Sequence, residues 1–364
     1  MCREGEAGDP HGSSWAECSP GASTDGFLPP DGGDGSRMTG PDPTGKVRLV
    51  QILSSPHSGS TILGVILGSS PEIFYSGEMD RIPVPVWGVG LVCSCGQPTA
   101  ECPFWSSVRV GFERAHDTSR LVAGQRRFEP WSSLRRTWVA SVLRSAALHA
   151  HGRETEALLQ QVSKSAGKPI IVDSSKLAGR ALVYSAVRSS GFDVRYLHVV
   201  RDGRAVLASR KARLARFPEP GVDPEAVRFA TRAAVRWVIA NITFWLLFSW
   251  RRGRYLRLHH EDFVRDPEAA LRRIEQFLGV SLAVPLAKLR EESPFPVIHV
   301  PTGNRIRLTG EVRFRREASA RSSTLPPAQQ RAFWRIAGGL ERVLGYRKDN
   351  PKPETVPTGT RSDP

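Results

Sequence analysis

The sequence lacks an apolar run long enough to cross a membrane. Its most apolar window, Trp237 to Trp250, holds 14 residues between Arg236 and Arg251, whereas a spanning helix needs about 20. No N-terminal stretch combines the basic start and apolar centre of a signal peptide. We therefore interpret the window as a buried core helix, exclude a membrane span, and expect a cytoplasmic location.

Cysteine is scarce and unevenly placed, with five residues in the whole chain. Cys2 and Cys18 precede the first predicted strand, whereas Cys93, Cys95 and Cys102 form a cluster. The three clustered thiols could form a zinc site that lacks one ligand, a single disulfide bond, or a small packed loop. Because the sequence offers no fourth ligand nearby, we favour the two structural interpretations over a metal site.

The first 45 residues have little apolar surface to bury. They contain 10 glycines, 6 prolines and 8 acidic residues against two arginines. Such a composition cannot offset the entropy lost on ordering, so we predict a disordered tail over residues 1–45 and a second one over 351–364. Met38 could then be the translation start in place of Met1.

The remainder of the chain is strongly basic. The whole chain carries +15 and the tail carries −6, so residues 46–364 carry +21. A field of this sign favours an anionic partner. The arginines are not gathered beside aromatic residues, and no helix-turn-helix, RRM or zinc-finger pattern occurs. We therefore predict a partner other than nucleic acid.

Apolar runs typical of strands alternate with helical periodicities along the chain. The predicted strands are Val47 to Leu53, Ile73 to Tyr75, Pro169 to Val172, Val194 to Val200 and Tyr255 to Leu258. The main predicted helices are Thr61 to Gly68, Trp131 to Leu148, Glu154 to Ser165, Leu177 to Ser190, Gly203 to Leu214, Ala226 to Trp250 and Pro267 to Leu278. This alternation predicts an α/β fold, with three α/β/α layers around a central, mainly parallel sheet.

The domain prediction follows from the same periodicities. We expect one folded domain over 46–316, with a loop insertion over about 86–130 where periodic signals are few. A helical segment is expected over 317–350. In a parallel sheet the ligand lies beyond the carboxyl ends of the strands, so the loops that follow the strands should form the functional site.

The loop after the first strand is rich in small residues and leads directly into a helix. Small residues allow the backbone to approach an anion, and the amides and dipole of the helix N-terminus face it. The predicted phosphate-binding residues are Ser55, Pro56, His57, Ser58, Gly59, Ser60 and Thr61. Ser60 stands where a Walker A loop requires lysine, so an ordinary ATPase or GTPase is disfavoured. Taken alone, the pattern could also be a tight connection between a strand and a helix.

Three later strands also end in polar residues. Glu78 follows the second strand and is a candidate general base, although it could be a capping or surface residue. Lys176 follows the third strand and could neutralise charge on a leaving group. Arg201 ends the fourth strand, and Ser209 follows eight residues later on a helix. A guanidinium and a hydroxyl suit a phosphate monoester, although Arg201 could instead pair with Asp202.

In this order, the motifs resemble those of the PAPS-dependent sulfotransferases, which have an α/β fold like that of P-loop NTPases. The small-residue loop resembles the 5′-phosphosulfate-binding loop of that family, and Arg201 with Ser209 resembles its 3′-phosphate site. Gly303, Asn304 and Arg305 resemble a late basic loop that closes over the 3′-phosphate. The resemblance covers about Lys46 to Arg316 and implies 3′-phosphoadenylyl sulfate (PAPS) as cofactor, PAP as its product, and no metal.

The placement of Glu78 and Lys176 is most similar to the tyrosylprotein and carbohydrate branch, where the equivalent glutamate is the proposed base. His57 stands where many relatives have arginine or lysine, and histidine guarantees no positive charge at neutral pH. We expect Lys176 and His57 to stabilise the bridging oxygen and the sulfonate. The acceptor could be a small molecule, a sugar or a peptide. An atypical P-loop kinase and a basic nucleic-acid-binding protein are the alternatives.

Overall fold

A computed structural model describes residues 47–88, 90–187, 192–315 and 325–347 of the chain. The two predicted tails, at 1–45 and 351–364, lie outside these residues, as do both candidate start methionines.

A five-stranded parallel sheet forms the centre of the molecule. Its strands are β1 (Val47–Ser54), β2 (Ile73–Gly77), β3 (Ile170–Asp173), β4 (Phe192–Val200) and β5 (Tyr255–His259). The strand order is β2-β3-β1-β4-β5, and each neighbouring pair is parallel. All five strand predictions are confirmed, and β1 occupies the middle of the sheet.

Helices account for most of the remaining described residues. They are α1 (Ser60–Gly68), α2 (Pro103–Glu113), α3 (Thr118–Phe128), α4 (Leu134–Val142), α5 (Ala146–Ala166), α6 (Ala178–Ala186), α7 (Gly203–Arg216), α8 (Val227–Phe248), α9 (His260–Arg265), α10 (Pro267–Leu278), α11 (Ala283–Arg290) and α12 (Pro327–Val343). Short 3-10 helices lie at Met79–Arg81, Trp131–Ser133 and Arg305–Thr309, and a small antiparallel pair joins β6 (Phe295–Pro296) to β7 (Glu311–Val312).

Helices cover both faces of the sheet because alternate residues of each strand point to opposite sides. On one face, Leu49 and Leu53 pack with apolar residues of α2, α5, α6 and α8. On the other face, Val50 and Ile52 pack with apolar residues of α1, α10 and α11. The predicted three-layer α/β/α fold with a parallel sheet is therefore confirmed.

The stretch predicted as a loop insertion, at about 86–130, contains two regular helices, so that prediction is wrong. Trp105, Val108 and Phe112 of α2 are buried at helical spacing. Asp117 caps α3 by accepting a hydrogen bond from a backbone N–H at 2.8 Å. Both helices are 11 residues long, and they bury three and two residues, so each apolar stripe consists of few side chains.

Two helix predictions also differ from the structure. The helix expected over Trp131 to Leu148 is interrupted between α4 and α5, where Arg144 adopts φ 52. The apolar window Trp237 to Trp250 is helical, but it is only half buried: Phe244 is buried, whereas Leu246 is exposed on α8. Among the described residues, no helix combines the length and apolarity that crossing a bilayer requires.

Candidate functional site

The loop between β1 and α1 follows the central strand at its carboxyl end. His57 (φ 67) and Gly59 (φ 86) both adopt the left-handed conformation, and the hydroxyls of Ser55 and Ser58 lie 2.9 Å apart. A Cβ at position 59 would lie 2.6 Å from the ring of His260, so glycine is required there. No side chain caps α1, which leaves its first N–H groups able to bind an anion.

The predicted phosphate-loop residues differ in their exposure. Four are buried, two are half-buried, and one is exposed. In that order they are Ser55, Ser58, Ser60 and Thr61, then His57 and Gly59, and finally Pro56. The loop is thus fixed by its hydroxyl residues, while the backbone around positions 56, 57 and 59 reaches towards solvent.

The imidazole of His57 is surrounded by cations. Burial, together with the positive charges of Arg213, Arg210, Lys176 and Arg201, lowers its pKa to about 4. His57 is therefore neutral at pH 7 and acts as a hydrogen-bonding group rather than a charge. Four cations around one neutral histidine form an electropositive site that suits an anionic ligand.

Arg201 connects the end of β4 to the phosphate loop. Its Nη1 donates a hydrogen bond to the carbonyl oxygen of His57 at 2.9 Å. The carboxylate of Asp202 pairs with Arg204 at 2.8 Å and accepts the N–H of that residue at the start of α7. Ser209 is half-buried on α7.

Glu78 and Lys176 come together although 98 positions separate them in the sequence. The ammonium of Lys176 donates to a carboxylate oxygen of Glu78, and each side chain is about one-fifth exposed. Thr302 orients the backbone at this point, because its hydroxyl accepts the N–H of Glu78 at 2.8 Å. Two of the three predicted catalytic residues thus form one partly accessible ion pair at the carboxyl edge of the sheet.

Asp173 holds the two segments that carry this ion pair. It is fully buried at the end of β3 and accepts the N–H of Met79 at 3.1 Å and the hydroxyl of Tyr184 at 2.6 Å. Arg180 donates to the same carboxylate at 3.1 Å. A buried carboxylate with this many donors is a positioning group, so Asp173 fixes the geometry and has no free oxygen for chemistry.

The predicted late basic loop lies next to the phosphate loop. Gly303 has φ 111, and a Cβ there would lie 3.7 Å from the Thr61 hydroxyl. Asn304 caps the following 3-10 helix by accepting a backbone N–H at 3.1 Å. The guanidinium of Arg305 lies 4.3 Å from the ring centre of Phe217, just beyond α7. The structure therefore brings this loop to the site from a distant part of the chain.

Sequence reasoning missed several residues of the site. Arg210 and Arg213 lie one and four positions after Ser209 on α7, so helical spacing could have indicated both. Thr302 carries no local signal, because only the folded chain places it beside Glu78. Arg307 is buried, and its Nε and Nη1 have no hydrogen-bond partner among the residues that the structure describes.

The expectation that the three clustered cysteines lack a nearby fourth ligand is wrong. His299 lies beside Cys93, Cys95 and Cys102, and the ligand atoms of all four residues are within 4.8 Å of one another. His299 is 197 positions from Cys102, so no local spacing rule could have identified it. The cluster contains free thiols rather than a disulfide.

Comparison with known proteins points to one family. The model of the sulfotransferase family matches residues 192–283, the segment from β4 to the start of α11. Human carbohydrate sulfotransferase 6 is 26% identical over 339 residues, covering 83% of this chain and 82% of its own. Human carbohydrate sulfotransferase 5 is 24% identical over 335 residues, covering 82% of this chain and 77% of its own.

Among solved structures, the chain is similar to the sulfotransferase domain from the olefin synthase of Synechococcus PCC 7002. It is 20% identical, covers 84% of this chain and 98% of its own, and has a TM-score of 0.44. The fold assignment rests on the strand order and the two helix layers of the chain itself. The matched family segment and the relatives that extend over most of the sequence show that the chain is similar to sulfotransferases.

Proposed function

We propose that this sulfotransferase transfers a sulfonate group from PAPS to a hydroxyl or amine of its acceptor, with Glu78 as the general base. The observation that carries the proposal is the meeting of two features at one edge of the sheet. The anion-binding loop at Ser55 to Thr61 and the Glu78–Lys176 ion pair both follow the carboxyl ends of strands. One feature suits a phosphosulfate, and the other suits proton transfer beside it.

The donor set fits a nucleotide with phosphate at both ends of its ribose. Ser60, Thr61 and the loop amides would hold the 5′ phosphosulfate at the N-terminus of α1. Arg201 would hold the 3′-phosphate with Ser209 and with the Gly303–Asn304–Arg305 loop. The positive charges of Arg201, Arg210 and Arg213, which all act on the loop at His57, support this assignment.

PAPS supplies an activated sulfonate on a phosphoanhydride, and charge spreads over peripheral oxygens during in-line transfer, as in phosphoryl transfer. Glu78 would accept the proton of the attacking group. Lys176 already contacts Glu78, so it is positioned to shift towards the bridging oxygen when Glu78 becomes protonated. His57 is neutral and would donate one hydrogen bond to the sulfonate. The residues thus act through position and electrostatics.

We propose a carbohydrate hydroxyl as the acceptor. The names of the two human relatives support this class, and the partly exposed carboxylate of Glu78 is open to a polar substrate. A cytoplasmic location stays a prediction from the sequence.

The test separates binding from turnover in the full chain. Wild type should bind PAP with micromolar or tighter affinity by calorimetry and should not require Mg²⁺. Glu78→Gln should lower kcat by about 100-fold or more, because general-base catalysis contributes that much, while PAP affinity changes little. Transfer is measured as PAP released from PAPS in the presence of sugars, phenols and tyrosine peptides.

Glu113→Gln is the matched control, because Glu113 pairs with Arg109 on an exposed face of α2 and should keep wild-type turnover. Binding of ATP with Mg²⁺ in preference to PAP would instead indicate a kinase. Equal losses of kcat and PAP affinity in Glu78→Gln would show that Glu78 is structural and refute its role as base.

A further inference from the structure

The three clustered cysteines and His299 form a compact group of metal-binding atoms outside the proposed catalytic site. Cys93 and Cys102 are buried, Cys95 is exposed, and His299 is half-buried. Thiolate sulfur and imidazole nitrogen are the ligands that structural zinc sites use most. Four such atoms within 4.8 Å of one another match the ligand number of a closed zinc site.

The distances between the ligand atoms fit an ion better than a covalent bond. Tetrahedral zinc, with bonds of about 2.3 Å to sulfur and about 2.0 Å to nitrogen, places sulfur atoms about 3.8 Å apart and sulfur about 3.5 Å from nitrogen. The Sγ atoms of Cys95 and Cys102 lie 3.6 Å apart, and Sγ of Cys102 lies 3.3 Å from Nδ1 of His299. A disulfide requires about 2.05 Å.

The charge around the cluster is also suited to a bound cation with three thiolates. Zinc held by three thiolates and a neutral imidazole carries a net charge of −1. Arg307 is buried within electrostatic range of Cys93, and its Nε and Nη1 have no hydrogen-bond partner among the described residues. A buried cation without hydrogen-bond partners is costly, and a negative metal-thiolate group beside it would offset that cost.

The backbone at His299 is held by its neighbours in a conformation that suits a ligand. Its φ of 50 is uncommon outside glycine. The indole N–H of Trp105 donates to its carbonyl oxygen at 2.7 Å, and its ring stacks on Phe104 with centroids 5.3 Å apart. Both contacts come from the start of α2, directly after Cys102, so the segment that carries the cysteines packs against His299.

We propose that Cys93, Cys95, Cys102 and His299 bind one structural Zn²⁺ ion. All four positions are filled by protein, so no position is open for substrate. The ion would join the cysteine loop to the segment that leads to Thr302, where Ser94 and Val300 already exchange hydrogen bonds of 2.9 and 3.2 Å. That segment continues to Glu78 through Thr302 and to the phosphate loop through Gly303.

The test is the metal content of the full-length protein, purified under reducing conditions and measured by elemental mass spectrometry. Wild type should contain about one zinc per chain. Cys102→Ser and His299→Gln should each lose zinc about tenfold or more after dialysis. The matched control is the double variant Cys2→Ser/Cys18→Ser, which replaces the other two cysteines and should keep its zinc.

A second measurement keeps the proposal testable if a ligand variant fails to fold. Wild type stripped of metal and loaded with Co²⁺ should show the intense visible bands of tetrahedral cobalt bound to thiolate. Chelation of the metal should lower the Tm of wild type, and it should lower the Tm of the control double variant by the same amount. Three results would each overturn the assignment. The protein could contain no zinc and take up no Co²⁺, it could contain iron in place of zinc, or the purified protein could hold a disulfide among Cys93, Cys95 and Cys102. None of these readouts depends on sulfonate transfer.

Discussion

Binding of PAP should change the protonation of His57. Burial and the nearby cations lower its pKa from 6.5 to about 4 in the ligand-free protein, which corresponds to about 3 kcal/mol against the charged form. A bound phosphate beside the same cations would offset their repulsion. We therefore expect the pKa to return towards about 6.5 in the complex, so that binding takes up a proton in the window between about 4 and 6.5.

The size of the effect follows from these two values. If the pKa of His57 moves from about 4 to about 6.5, binding at pH 5.5 takes up about 0.9 proton, and PAP binds about tenfold more tightly than at pH 7.5. The direction of the pH dependence follows from the proton uptake. Because the complex binds more protons at His57 than the free protein does, the affinity for PAP rises as pH falls. At pH 7.5 and above, His57 contributes no pH dependence.

Calorimetry in two buffers with different ionisation enthalpies measures the proton uptake directly. His57→Asn is the test variant, because asparagine tolerates the left-handed conformation at this position and cannot be protonated. PAP itself titrates near pH 6, so the relevant quantity is the difference between wild type and variant. His149→Asn on α5 is the control and should behave as wild type. Identical proton uptake in wild type and His57→Asn would refute the reasoning.

Two further predictions concern residues that support the site. Gly59→Ala should lower the free energy of unfolding by about 2 kcal/mol, because the new Cβ, at φ 86, would lie 2.6 Å from the ring of His260. Gly253→Ala is the control, since a Cβ there, at φ 71, meets nothing within 4 Å. Equal losses of stability for both variants in urea titrations would contradict the steric argument. Burial raises the pKa of Glu261 from 4.5 to about 7. The protonated carboxyl therefore stabilises the folded state fully below about pH 4.5. This stabilisation, of up to about 3 kcal/mol, is lost as the pH rises through 7. Glu261→Gln should therefore gain Tm over wild type at pH 8 but not at pH 5, and parallel Tm profiles would show that this carboxyl does not govern the trend.

The central part of the site could be predicted because its signals are local. The phosphate loop follows directly from the order of a buried strand, small residues and a helix, and Gly59 has the left-handed φ that such a turn requires. Arg201 and Glu78 follow strands whose apolar character is plain in the sequence. Parallel strands place their carboxyl ends at one edge, so the approximate meeting of these residues also followed from the fold class.

Other parts of the site depend on contacts between distant segments, which no local pattern encodes. The pairing of Lys176 with Glu78 and the approach of Thr302 to the same backbone are observed only after folding. The low pKa of His57 requires burial together with cations from three elements, because desolvation depends on the whole surrounding structure.

The sequence by itself determined the sheet, the anion-binding loop and the positive charge of the chain, because each depends on residue type and spacing within a short stretch. The tertiary structure decided which side chains share a site. It placed His299 beside Cys93, Cys95 and Cys102, so that four potential metal-binding atoms lie close together. It also placed Glu78 and Lys176 in contact. Both outcomes require chain segments far apart in sequence to come into contact, and that packing is a property of the complete fold.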